Sequence, residues 1–300
     1  MSTALPLRKR PTLAPAAEEF VLATVMLFLA VTIVRWLREP GSRLYIADLD
    51  TALGVIGVLS GAILTGLILS PLGKRSGGHL NPAVTVSLWL LGAFPGRSVL
   101  PYAVAQLAGS TAGTVLAREA WGNTVSTPHV NYAAIAPAPD WHPTAVSLAE
   151  AGSMAAIMLA VAYAAQPRYA RLLPYLIGAA VALVIAFLGP RSGGSINPAR
   201  QFGPAVLAGQ TTDLWIYLLA PVVGAALGIG VHRTLGRLML FPRKAGSPAS
   251  KNPETRSFPM PSQGSSQSHP PGSVTEKSET ANFTTCIHVD SQPTSRRGSL

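Results

Sequence analysis

The chain has 300 residues, of which 48% are hydrophobic and only 12% charged, a balance too apolar for an ordinary soluble domain of this length. Its formal net charge of +10 would suggest nucleic acid in a soluble protein, but the basic residues sit between apolar blocks and in the tail, where they mark membrane topology, so a nucleic-acid partner is set aside. The single cysteine, Cys286, excludes an intrachain disulfide.

Six apolar runs are long enough to cross a bilayer core, which needs roughly 20 residues. The first, 17–37, follows Arg8-Lys9-Arg10; it is long for a signal peptide and has no clear small-residue cleavage site after its apolar centre, so it reads as a retained helix. The second spans 51–72. A polar turn follows, Arg75-Ser76-Gly77-Gly78-His79-Leu80-Asn81-Pro82-Ala83, and then a short apolar run to Leu91. The third, fourth and fifth runs are 98–116, 144–165 and 172–189. The turn then returns as Arg191-Ser192-Gly193-Gly194-Ser195-Ile196-Asn197-Pro198-Ala199, again with a short apolar run, 199–208, before the sixth span at 214–235. The stretch 241–300 is rich in Ser, Pro, Thr and Gln and cannot bury enough surface to fold alone, so it is expected to be a disordered cytoplasmic tail. Its Arg296-Arg297-Gly298-Ser299 resembles a basophilic kinase substrate, a short pattern that is common by chance.

Lys and Arg collect on one face: Arg8, Lys9, Arg10, Lys74, Arg75, Arg97, Arg168, Arg171, Arg233, Arg237, Arg243 and Lys244. The opposite loops carry Arg38, Arg43 and Arg118 but also Glu39, Asp48, Asp50, Glu119, Asp140 and Asp213. The positive-inside bias therefore places both termini in the cytoplasm.

The two turns differ only at His79/Ser195 and Leu80/Ile196, which points to an internal duplication with interrupted helices at the midplane. Asn is a favoured helix N-cap and Pro a favoured first residue, so each Asn-Pro-Ala should open a helix. The runs that follow are long enough for only half a membrane span at 1.5 Å per residue. Two such halves entering from opposite faces would meet at their positive N-terminal ends, and the Gly pairs before them permit a non-helical backbone that is tolerated at this depth where it lines a watery cavity. The expected fold is an all-α membrane protein of six transmembrane helices plus two re-entrant half-helices in an inverted repeat. It divides into an N-terminal cytoplasmic segment 1–15, a channel domain 16–240 (repeats at about 16–118 and 144–236) and the tail 241–300.

Through the paired motifs Asn81-Pro82-Ala83 and Asn197-Pro198-Ala199, the chain resembles the major intrinsic protein family, the aquaporins and aquaglyceroporins, over roughly 18–236. That resemblance implies that the amides of Asn81 and Asn197 donate hydrogen bonds to a permeating oxygen, and that Arg200 matches the family's selectivity arginine, with a structural salt bridge as its alternative. It further implies that Glu150 and Glu19, with Glu18 as the competing register, are buried acids accepting hydrogen bonds from the re-entrant loops. Gly77, Gly78, His79, Gly193 and Ser195 are expected along the pore loops, with a hydrogen-bonded structural role open for His79. Counting without gaps from the two asparagines puts Gly61, Ile185, Gly194 and Arg200 at the constriction.

Two glycines in that ring leave a wide opening, and the Ser-Gly-Gly-x-Ile-Asn-Pro-Ala-Arg run resembles the nodulin-like subgroup, which implies glycerol, urea or undissociated metalloid acids as solutes. Ala205, where glycerol facilitators carry a basic residue, and Tyr217 point toward water. The reading is a passive channel for water and small neutral solutes that excludes protons and ions. Its alternatives are a strictly water-selective pore and a non-conducting structural or adhesive membrane protein. No catalytic residue, metal or cofactor is expected, since His79 has neither a nucleophile nor a ligand partner at a suitable spacing. The resemblance also implies a homotetramer, in a plasma membrane, with one pore per subunit.

Overall fold

The computed structural model describes residues 13–166 and 168–240. The tail 241–300, with Cys286 and the basic pattern at 296–299, and the run 8–10 lie outside the described residues. Nine α-helices occur among the described residues: α1 Leu13–Arg38, α2 Leu49–Leu69, α3 Pro71–Ser76, α4 Pro82–Leu90, α5 Val99–Trp121, α6 Pro143–Ala164, α7 Leu173–Leu188, α8 Pro198–Ala208 and α9 Leu214–Leu240. Six of the helical segments are long and apolar enough to cross a bilayer, and no strand occurs among the described residues. The half-helices α4 and α8 have 9 and 11 residues.

The helix starts follow local chemistry. Asp48 caps α2, accepting from the Thr51 N–H at 2.8 Å, and hydrogen bonding from Thr51 holds its carboxyl below the usual carboxylate range. Ser70 caps α3, where Pro71 takes the first helical position, and Pro143 does the same for α6. Arg233 of α9 donates to the Leu90 carbonyl at the C-terminal end of α4, a cation at the negative end of that helix dipole.

The packing is itself a repeat. Helix α1 lies on α5 as α6 lies on α9, while the half-helices cross over, α4 packing on α9 and α8 on α5. Each repeat thus supplies the half-helix that seats on the last span of the other. Close approach is made possible by small residues at matching places. A Cβ at Gly109 or Gly113 would strike the carbonyl of Phe20 or Thr24 on α1, and one at Gly224 or Gly228 would strike Ala151 or Ala155 on α6. Helices α2 and α7 meet each other. Large apolar side chains such as Val58, Leu100, Leu148, Leu183 and Phe187 stand exposed on the outer faces, a surface suited to lipid rather than water.

Candidate functional site: two half-helices end to end

Asn81 and Asn197 are extended residues at φ −152° and −148° that open α4 and α8. Each Oδ1 accepts the N–H two residues on, from Ala83 at 2.8 Å and from Ala199 at 2.9 Å. Each Nδ2 reaches across to the opposite loop: Asn81 donates to the Ile196 carbonyl and Asn197 to the Leu80 carbonyl, both at 3.0 Å. One amide hydrogen per asparagine is used in this brace, which leaves the second for another acceptor.

The residues before the asparagines are held in an unfavourable conformation. Leu80 and Ile196 have φ of 49° and 44°, a left-handed backbone that costs on the order of 1–3 kcal/mol for a residue with a side chain. Buried carboxylates hold them there. Glu19 accepts from the Ser76 hydroxyl at 2.7 Å, the His79 N–H at 3.0 Å and the Leu80 N–H at 2.7 Å. Glu150 accepts from the Ser192 hydroxyl at 2.9 Å, the Ser195 N–H at 3.1 Å and the Ile196 N–H at 2.6 Å. The register at the start of α1 is thereby Glu19, while Glu18 instead pairs with Arg75 Nε at 2.6 Å. Tyrosines close both loops alike, Tyr102 donating to the Ser76 carbonyl and Tyr217 to the Ser192 carbonyl. The burial of Tyr217 at this carbonyl makes it a loop-holding residue.

Other expected positions divide. The glycine pairs are needed for their backbone: Gly77, Gly78, Gly193 and Gly194 have φ of 101°, 59°, 91° and 62°. A Cβ at Gly194 would sit 2.9 Å from the Val184 carbonyl, so this residue offers only main chain to any lumen. His79 is only 7% exposed; its Nδ1 lies 3.1 Å from Thr85 Oγ1, and its ring packs edge-on against Phe94 and tilted against Tyr102. It is a buried, hydrogen-bonded residue more than a pore-lining one. Ser195 Oγ donates to the Asn197 carbonyl. Ile185 packs against the apolar cluster of Ile33, Leu37 and Ile56.

Gly61 is not where gap-free counting puts it. It is buried in the α2–α7 contact, where a Cβ would strike the Gly178 carbonyl and the Ala182 side chain, so it can turn nothing toward a lumen. The cause is a length difference: the first repeat carries one more residue than the second between this contact and its asparagine, taken up where α3 follows α2 without a helical counterpart after α7.

Arg200, in the first turn of α8, donates from Nη1 to the Ala133 carbonyl at 2.7 Å. It has no carboxylate partner among the described residues, where the ion pair found is Arg75 with Glu18. Its neighbour Gln201 accepts the Ile135 N–H and donates to the Ile135 carbonyl. Together they fasten the loop between α5 and α6, in which Asn131, Tyr132 and Ala133 are consecutively left-handed. Gln201 and Gln106, which donates to Glu19 at 2.7 Å, were not singled out from the sequence. The only available signal was a large amide in an otherwise apolar or motif stretch.

The profile of the major intrinsic proteins matches residues 7–232. Among curated proteins, the chain is 35% identical to the Arabidopsis thaliana protein named "Probable aquaporin NIP7-1", over 66% of this chain and 70% of that one. It is 30% identical to the propanediol uptake facilitator PduF of Citrobacter freundii, over 74% and 91%, and 36% identical to the aquaporin AqpM of Methanothermobacter marburgensis, over 62% and 82%. The X-ray structure of the aquaglyceroporin from Plasmodium falciparum superposes with a TM-score of 0.66, covering 76% of this chain and 98% of that one at 19% identity, which speaks for the fold. The chain belongs to the major intrinsic protein family, with similarity to its nodulin-like members, and is a multi-pass integral membrane channel protein rather than an enzyme.

Proposed function

We infer that the chain conducts water and small neutral solutes down their gradients and excludes protons and ions. The observation that carries this reading is the reciprocal brace of Asn81 and Asn197, which fixes two helix N-termini face to face and leaves each amide one hydrogen for a passing oxygen. Both dipole ends present about half a positive charge to that point, a barrier to cations that a neutral solute does not feel. A water held by two fixed donors has no free lone pair with which to relay a proton.

Arg200 adds a full positive charge beside the Ala133 carbonyl, and with Ile185 and the backbone of Gly194 it forms the outer constriction. Absence of a bulky aromatic at these places favours solutes wider than water, such as glycerol, urea or an undissociated metalloid acid. The propanediol facilitator among the relatives supports that choice over a strictly water-selective pore. In this reading the subunits assemble as a homotetramer in a plasma membrane with both termini cytoplasmic, an orientation that the bias of Lys and Arg toward one face supports. Reconstituted liposomes in stopped-flow light scattering test the reading. Rapid shrinkage under an impermeant osmolyte, followed by rapid re-swelling when glycerol, urea or boric acid is the osmolyte, is the expected result. Shrinkage alone would establish the water-selective pore, and neither would leave a non-conducting protein.

A further inference from the structure

The last spans of the two repeats, α5 and α9, match at one constant offset. Tyr102 and Tyr217 close the two loops, and Gly109 and Gly113 meet α1 as Gly224 and Gly228 meet α6. The same offset pairs Arg118 with Arg233. Arg233 has a visible role, donating to the Leu90 carbonyl at the C-terminal end of α4. Arg118 has none. It lies on the face that the positive-inside bias leaves poor in basic residues, and no carboxylate pairs with it among the described residues, where the ion pair found is Arg75 with Glu18. The residue is half-buried, and its Nη1 is sealed from solvent without an acceptor, whereas buried donors are ordinarily paired.

The fold brings Arg118 to the end of α8. Ser110, Thr114 and Arg118 follow one another at four-residue steps along one face of α5. That face packs on α8: the Gly203 N–H donates to Ser110 Oγ at 2.9 Å, and a Cβ at Gly203 would strike the Ser110 backbone. From this contact both helices run to one face of the membrane, because the loop that follows α5 is the one that Arg200 and Gln201 of α8 fasten. Arg118, about two turns past Ser110, therefore stands at or just beyond the last turn of α8. A helical side chain leans back toward the N-terminus of its own helix, which brings the guanidinium level with that turn.

The carbonyls of that turn divide. The Gly209 N–H donates to Ala205 and Val206 and the Gln210 N–H to Ala205, while no N–H among the described residues reaches the carbonyl of Leu207. Leu90 is left in the same way at the end of α4, where Gly92 donates to Trp89, and Ala93 and Phe94 to Leu88; Arg233 takes it. We propose that Arg118 is a positioning residue: its guanidinium donates to the free Leu207 carbonyl, clamps the end of α8 as Arg233 clamps α4, and so fixes the height of Arg200 at the start of that helix. A cation at this place also meets the negative end of the α8 dipole. The inference rests on the channel reading above, in which Arg200 stands at the outer constriction.

The test compares Arg118→Met, Arg118→Lys and Arg233→Met in proteoliposomes, reading proton leak against water flux, with hydrogen exchange on the same full-length proteins in detergent. Arg118→Met should speed exchange of the amides of 206–209 by roughly ten-fold or more, the weight of one charged hydrogen bond. Its leak-to-water ratio should rise roughly four-fold, the effect of drawing a unit charge back by about one ångström from about 4 Å at an intermediate dielectric. Arg118→Lys keeps a cation at the same helix end and should keep most of the parent's ratio. Arg233→Met should loosen the end of α4 yet leave the ratio within about two-fold of the parent, because α4 carries no charged residue. Should Arg118→Met not fold, Arg118→Gln is read in its place. Exchange at 206–209 that matches the parent, an unchanged leak ratio, or an equal rise in the Arg118 and Arg233 variants would overturn the assignment. A parent that conducts no water would sink the channel reading, and the exchange comparison would still judge the clamp.

Discussion

The two repeats build the same backbone trap from different surroundings. In each, a buried glutamate takes a serine hydroxyl and two loop N–H groups, a tyrosine closes the loop, and an asparagine caps a half-helix. Around Glu19 the extra partners come from within: Gln106 donates to it, and His79, Phe94 and Tyr102 form a closed aromatic cluster. Around Glu150 the corresponding space goes outward, to Arg200 and Gln201 and the loop they fasten. The shared parts hold the half-helices and their facing asparagines, and the differing parts are a closed aromatic cluster on one side and an Arg-Gln clamp on a loop carbonyl on the other.

Removing the shared parts should cost most. Glu19→Ala strands two N–H groups, the Ser76 hydroxyl and the Gln106 amide, and Glu150→Ala strands two N–H groups and the Ser192 hydroxyl. At about 1–3 kcal/mol for each unsatisfied buried group, both should melt far below the parent in detergent, the Glu19 variant lower still. Equal melting of the two would deny Gln106 its role. Arg200→Ala should lower stability by only the one charged hydrogen bond to Ala133, about 1.5–3 kcal/mol, and raise proton or cation leak by at least about ten-fold, since a unit charge within a few ångströms in a narrow, partly desolvated pore is worth about 4 kcal/mol. A pH-sensitive dye inside liposomes reads this directly.

Gln201→Ala removes two hydrogen bonds to Ile135 and should destabilise the outer loop by about 1–3 kcal/mol, visible as faster hydrogen exchange there with little effect near His79. The smallest effects belong to Tyr102→Phe and Tyr217→Phe, about 1 kcal/mol each and matched if the two loops are held alike. Unequal losses would break the symmetry.

Much of this was legible in the sequence because it repeats. Two copies of a Gly-Gly turn ending in Asn-Pro announced paired N-caps, since capping depends on local rules. What was hidden depends on register and long-range contact. Glu18 and Glu19 are adjacent acids, and only the position of Ser76 and Leu80 in space separates the ion-paired one from the buried one. Gly61 was misplaced because one residue more in the first repeat does not show as a gap when counting back from a single asparagine; the α2–α7 contact reveals it. Ala133 contributes to the site through its carbonyl alone, which no side-chain pattern can signal.

The most direct measurement is osmotic water permeability and proton flux in the same proteoliposomes. Water flux far above that of empty vesicles, with proton flux indistinguishable from theirs, is expected from two braced asparagines at facing helix ends. Proton flux that rises together with water flux would contradict it, because the water column would then run unbroken past Asn81 and Asn197.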